Sequence, residues 1–143
     1  MPATYDKMGI HFLYPENWTL DEEDAVKGCK SVSVNSPAGA FWSIALHPRK
    51  IDPRELVVTA LDAMKQVYDE AEAEEASETV AGHELAGFDL NFYCLDLTNT
   101  ALIRGFRTEH ASCVILCQAE DREYQAVEPV FRAITASLLQ NSK

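Results

Sequence analysis

The chain has 143 residues, 47% of them hydrophobic and 24% charged, which is the composition of a globular protein. Its 12 basic and 23 acidic residues give a net charge of −11, which predicts repulsion from nucleic acids and from anionic membranes. No apolar run approaches the roughly 20 residues that span a bilayer, and the first residues lack the apolar segment of a signal peptide. These features predict a single domain, residues 1–143, that is cytoplasmic and binds neither nucleic acid nor membrane.

The first part of the chain predicts β-strands. After a short lead over residues 3–7 and a turn at Gly9, apolar residues alternate over residues 10–14 as in a half-buried strand. Residues 31–35 and 40–46 then predict a hairpin, because the sequence Ser-Pro-Ala-Gly between them is a strong turn signal.

A helix is predicted over residues 53–68. Asp52 is a good N-cap, Pro53 suits the first helical position, and apolar residues then recur at helical spacing. The acidic run over residues 69–78 holds six acids and no base. Its alanines and glutamates favour helix, whereas their alternation is typical of a solvated edge strand, so we expect a helix end followed by a strand near residues 76–80.

The second half predicts an antiparallel meander. Gly82 and Thr98-Asn99 are expected turns, and strands are expected over residues 88–94, 101–107 and 112–119. Residues 112–117 are apolar on both faces, which indicates a central strand covered on both sides. A helix after Asp121 closes the chain, and Pro129 is expected to kink or restart it.

The order of these elements, the opening Gly9-Ile-His-Phe-Leu-Tyr-Pro-Glu-Asn-Trp18 and the ending Val130-Phe-Arg-Ala-Ile-Thr-Ala-Ser-Leu138 resemble the PsbP-like fold family. The resemblance implies an α+β fold, an antiparallel sheet in an α/β/α sandwich. The family includes a photosystem II subunit, a nuclear-import regulator that binds the GTPase Ran, and bacterial chaperones that shield hydrophobic segments of secreted toxins. It therefore implies binding and assembly rather than catalysis.

The residues themselves predict no catalytic, cofactor or metal site. The four histidines are dispersed, none of the four cysteines forms a Cys-x-x-Cys pair, and no phosphate-binding glycine loop or nucleophile elbow occurs. A nucleophilic pair of His110 and Cys113 is disfavoured because Cys113 lies in an apolar strand. We expect free, mostly buried thiols.

Candidate interface residues remain, each with a structural alternative. Trp42, on a strand, is a candidate partner contact or a core residue. Arg104 and Arg107 point to opposite faces of one strand and are candidate anchors or ordinary ion-pair partners. The acidic run supplies a docking patch for a basic partner or merely a solubilising surface; its candidate residues are Glu70, Glu72, Glu74, Glu75 and Glu78.

The sequence therefore predicts a non-catalytic interaction or assembly module that holds a protein partner on a sheet face or edge strand and needs no cofactor; a homodimer is also possible. One alternative is a carrier of a small apolar ligand, since residues 101, 105, 113, 117 and 119 are small or thiol-bearing and would leave room in the core. Another is a chaperone-like shield for a hydrophobic segment of a secreted partner.

Overall fold

The structure is a computed structural model that describes residues 2–24, 30–68 and 70–141. Over these residues the strands are β1 Pro2–Lys7, β2 Ile10–Pro15, β3 Thr19–Asp24, β4 Lys30–Asn35, β5 Phe41–His47, β6 Glu72–Val80, β7 His83–Cys94, β8 Leu97–Arg107 and β9 Ser112–Glu120, and the helices are α1 Pro53–Val67 and α2 Asp121–Gln140.

Seven strands form one antiparallel sheet in the order β3-β4-β5-β9-β8-β7-β6, and β1 and β2 form a separate hairpin. The order β6 to β9 is the predicted meander, and β5 joins it to the first hairpin by pairing with β9, Ile44 opposite Ile115. β9 is thus the central strand, and it is buried along most of its length as its two-sided apolar sequence predicts.

Each face of the sheet has its own core. On one, the α1 face, helix α1 buries Val57 and Leu61 against residues of β7, β8 and β9 such as Leu90 and Ile103. On the other, the α2 face, helix α2 and the β1–β2 hairpin cover the sheet. There Phe12 of the hairpin lies 4.9 Å from Trp42 between ring centroids. An antiparallel sheet between helical layers is the predicted fold class.

Local sequence signals correctly predict the start of α1 and several turns. Helix α1 begins at Pro53, and its N-cap Asp52 accepts a hydrogen bond of 2.9 Å from the backbone N–H of Arg54. The turns at residues 36–39, at Gly82 and around His110 also lie where predicted. Helix α2 passes through Pro129 without restarting, and Trp18, in the turn after β2, packs its ring edge-on against Phe131 of this helix at 6.1 Å.

Other expectations were wrong. Residues 3–7 are not a lead but belong to β1, and β3 was not predicted. The acidic run does not continue the helix: α1 ends at Val67 and β6 already begins at Glu72, because pairing with β7 outweighs the helical preference of alanine and glutamate. Thr98 and Asn99 lie within β8, and the turn is at Leu95-Asp96.

Candidate binding surface at the β6 edge

Strand β6 is the last strand of the large sheet. It pairs with β7 from Glu72 opposite Asn91 to Val80 opposite His83, and no other described strand pairs with its outer side. A strand with one unpaired side presents backbone N–H and C=O groups that another chain can bind. We call this unpaired side the β6 edge.

The two faces of β6 differ in chemistry. Since side chains alternate along a strand, Glu72, Glu74 and Glu78 share the α2 face. Ala73 packs into the core of the opposite α1 face, which therefore also carries Glu75 and Ser77. The α2 face of β6 is thus strongly acidic, whereas its α1 face carries apolar, polar and acidic side chains.

On the α1 face an open groove of about 530 Å³ borders β6. Helix α1 contacts β7, β8 and β9 but leaves this part of the sheet uncovered, so Val58 and the ring of Phe88 line the groove. Its floor includes the bare backbone at Gly87, where a Cβ would collide with the carbonyl of Ile103. The groove can receive apolar side chains from a segment lying along β6.

Arg104 ties the acidic side of β6 to the sheet. Its Nε donates to Glu78 Oε2 at 2.6 Å and its Nη2 to Asp89 Oδ1 at 2.7 Å, while Nη1 donates to the carbonyls of Phe88 and Ile103. Burial lowers the pKa of this guanidinium, but the two carboxylates raise it overall. Arg104 is 7% exposed and acts within the fold, and its partner Asp89 was not singled out from the sequence.

The other candidates occupy separate places. Trp42 is fully buried on the α2 face, and its indole N–H donates to Thr135 Oγ1 at 2.9 Å. Arg107 lies on the α1 face, where it donates to the carbonyl of Ile51. Glu70, just before β6, is exposed. Of the predicted interface residues, the structure places Glu72, Glu74, Glu75 and Glu78 on one strand and joins Glu78 to Arg104.

Nothing in the described parts of the chain forms a metal-binding group of three or more His, Cys, Asp or Glu side chains. The two buried thiols there also suit a core better than catalysis: burial raises the pKa of Cys113 to about 12 and also raises that of Cys117. Cys94 is partly exposed, and Cys29 lies outside the described residues.

Two further cavities lie on the α2 face. One, about 160 Å³, is bordered by the Arg104 ion pairs, Cys117 and Tyr124, and is lined by both charged and apolar side chains. The other is an apolar groove of about 700 Å³ between the β1–β2 hairpin and α2. Gly105 was expected to leave space in the core, but helix α1 packs closely against it. A Cβ at Gly105 would lie 2.6 Å from Val57 Cγ2.

Comparison with known proteins identifies the fold. No protein-family model matches the sequence, and no curated protein matches it. Solved structures do: the cyanobacterial PsbP of Synechocystis superposes with a TM-score of 0.62 at 12% identity, covering 95% of this chain and 90% of that one. PA94, a Pseudomonas aeruginosa protein of unknown function, gives 0.55 at 12% identity, with coverage of 96% and 95%.

LpqN of Mycobacterium tuberculosis, involved in cell envelope biogenesis, gives a TM-score of 0.50 at 15% identity and covers 94% of this chain and 86% of that one. At such identities the likeness concerns the fold alone, and it confirms the PsbP-like arrangement predicted from the sequence. No helix in the described residues is long and apolar enough to cross a membrane.

Proposed function

We propose that the protein is a non-catalytic interaction module that holds an extended, basic segment of a protein partner along the β6 edge. The observation that carries this proposal is a nine-residue strand paired on one side only and bordered by an open groove. Addition of a strand to an exposed sheet edge is a recurrent mode of peptide recognition, in which backbone hydrogen bonds give affinity and side-chain pockets give specificity.

The two faces of β6 define the segment that fits. A strand added to this edge places every second side chain beside Glu72 and Glu74, and the intervening side chains beside the groove that Val58 and Phe88 line. Basic residues suit the first set and aliphatic residues the second. An alternating basic and apolar sequence is therefore the expected ligand.

A blocked synthetic peptide of alternating lysine and valine tests this fit. We expect the wild-type protein to bind it, with slower hydrogen exchange of β6 amides, and the double variant Glu72→Lys/Glu74→Lys to bind at least about tenfold more weakly, because lysines would face lysines. Asp21→Lys/Glu23→Lys, the same charge change at the opposite end of the sheet, is the matched control.

A peptide of the same composition with all lysines before all valines controls for nonspecific attraction. Equal binding of the two peptides, or equal losses in the two double variants, would reject the edge as the binding surface. A turnover activity that survives purification and disappears when one polar residue is changed would reject the non-catalytic assignment.

A second function, carriage of a small apolar ligand, is favoured by the groove between the hairpin and α2. Leu13 and Pro15 line one wall and Pro129, Val130 and Ala133 the other. This groove suits a ligand held by shape, because the Leu13 N–H already donates to Ser137 Oγ, Pro15 has no N–H, and the Pro15 carbonyl accepts from Trp18. Native mass spectra showing only the bare polypeptide mass in several preparations would argue against it.

A further inference from the structure

The β7–β8 hairpin ends in an unusual turn. Within the described ranges, three hairpins have two-residue loops in which both residues have positive φ: Met8-Gly9, Ala81-Gly82 and Leu95-Asp96. The first two place glycine at the second position, as this turn type favours. The third has no glycine, and its leucine, at φ 54°, occupies a region that bulky residues rarely adopt. Met8 adopts the same region at φ 57°, but it packs against the core.

Burial of the Leu95 side chain does not offset this backbone strain. Leu95 is 90% exposed, and its neighbour Tyr93 is 67% exposed. Val67, the last residue of α1, is 70% exposed at the same end of the sheet, since the next residue, Tyr68, stacks on Phe92 of β7 with 4.1 Å between ring centroids. Tyr93 and Leu95 form an apolar surface that we call the hairpin tip, and Val67 lies on the opposite face of the sheet from Tyr93, since Phe92 belongs to the α1 face.

Acidic residues lie near the hairpin tip, and the basic Lys65 lies in the last turn of α1 at the same end of the sheet. Asp96 lies in the turn itself, Glu72 pairs with Asn91 two residues before Tyr93, and Glu120 pairs with Asn99 two residues after the turn's end at Leu97. The nearby Arg122 is engaged by Glu120 at 2.8 Å. An apolar tip with mainly acidic neighbours is repelled by an anionic membrane and by a second copy of itself, and it is complementary to an apolar pocket with a basic rim.

We propose that Leu95 is an anchor residue that inserts, with Tyr93 beside it, into an apolar pocket on a basic protein partner. Strained backbone persists at functional sites because the function needs the side chain where the strain holds it. Aromatic and apolar anchors that fill a pocket on the partner provide much of the binding energy of protein interfaces. This contact does not require strand addition at the β6 edge, so either surface can fail without the other.

Leu95→Asn separates this role from a structural one. Asparagine tolerates positive φ, so the variant is expected to unfold at a temperature about 2 °C or more above the wild type, as the strain is relieved. Val67→Asn, at an exposed aliphatic residue of α1 without positive φ, is the matched control, and its unfolding temperature should not rise. A lower unfolding temperature for Leu95→Asn would overturn the proposal, because it would show that Leu95 supports the fold.

Binding is tested with a photoreactive phenylalanine analogue at Tyr93 in the full chain, used to cross-link and identify a partner in cells, which is then purified. The expected result is a basic partner whose affinity falls by about tenfold or more with Leu95→Asn, falls with added salt, and is unchanged by Val67→Asn. Equal affinity of the Leu95→Asn variant, or no cross-linked protein, would overturn the proposal.

Other occupants of the hairpin tip are distinguished directly. Sedimentation of the wild type with vesicles of phosphatidylcholine and phosphatidylglycerol, lost in Leu95→Asn, would assign the tip to membranes and overturn the proposal. A wild-type dimer that Leu95→Asn dissociates, seen by analytical ultracentrifugation, would assign it to self-association with the same consequence. Lysine–valine peptide binding that survives Leu95→Asn would leave the β6 edge intact whichever result is obtained.

Discussion

The two edges of the large sheet are both acidic, yet they differ in how they are protected. At the β3 edge, Glu22 accepts a hydrogen bond from the Tyr5 hydroxyl at 3.2 Å and faces Lys7 Nζ at 3.5 Å, so strand β1 contacts the α2 face of β3. At the β6 edge, Arg104 holds Glu78 from within the sheet and no described element covers the outside. Acidity alone therefore does not identify a binding edge; the open groove beside β6 distinguishes it.

The largest effect on stability is expected from Arg104, the buried cation that pairs with Glu78 of β6. Arg104→Met should lower the free energy of unfolding by about 2–3 kcal/mol, less than for a fully buried pair because Glu78 and Asp89 are partly exposed. It should also speed hydrogen exchange of β6 amides more than those of β3. Chemical denaturation and exchange mass spectrometry measure both.

Arg132→Met is the control for Arg104→Met, since Arg132 makes an exposed ion pair with Glu128 one turn away on α2. Arg132→Met should lower the free energy of unfolding by less than about 0.5 kcal/mol. Equal losses in the two variants would contradict the view that Arg104 fastens β6.

A smaller, pH-dependent effect is expected at the β3 edge. Burial and the neighbouring Glu22 carboxylate raise the pKa of Tyr5 to about 12 from its ordinary value of 10. Because the folded protein holds this proton more tightly than the unfolded chain, the stabilisation is complete below pH 10 and is lost as pH rises from 10 to 12.

Tyr5→Phe should therefore cost about 1 kcal/mol at neutral pH through the lost hydrogen bond, and less as pH approaches 12. Urea unfolding at several alkaline pH values gives the difference between the two proteins. Taking the difference cancels the titration of Cys113, which also occurs near pH 12 and is common to both. A difference that grew with pH would contradict the assignment.

The smallest effect is expected for Lys7→Met, which removes an exposed ion pair with Glu22. The cost should be below about 0.5 kcal/mol and should vanish in high salt. A decrease in the free energy of unfolding as large as that for Arg104→Met would contradict the view that the two edges are stabilised differently. Unfolding at low and high sodium chloride measures it.

The fold was largely predictable because its signals are local or periodic. The Asp52 cap with Pro53 defines the start of α1, and the two-sided apolar sequence of β9 marks it as central. The ends of β6 and β8 were not predictable in this way. Glu72 and Asn99 are of residue types that are uncommon in strands, and pairing with β7 decides their conformation.

The candidate surfaces were predictable only in part. The sequence identified the glutamates of the acidic run but not that the strand they occupy has an unpaired edge, which is a property of the sheet order. It also proposed Trp42 as a contact, although only the tertiary structure shows that α2 covers it. Leu95-Asp96 escaped because leucine is not a turn residue, and local rules fail most often where function imposes strain.

Because both tryptophans contact α2, their fluorescence reports on the docking of this helix. Trp18 touches Phe131 and Trp42 donates to Thr135, so both indoles meet the last helix of the chain. While a ribosome is still synthesising residues 121–140, neither indole has its final surroundings, however complete the sheet behind them is. The change in intrinsic fluorescence on folding therefore dates the docking of α2, the step that closes the α2-face core.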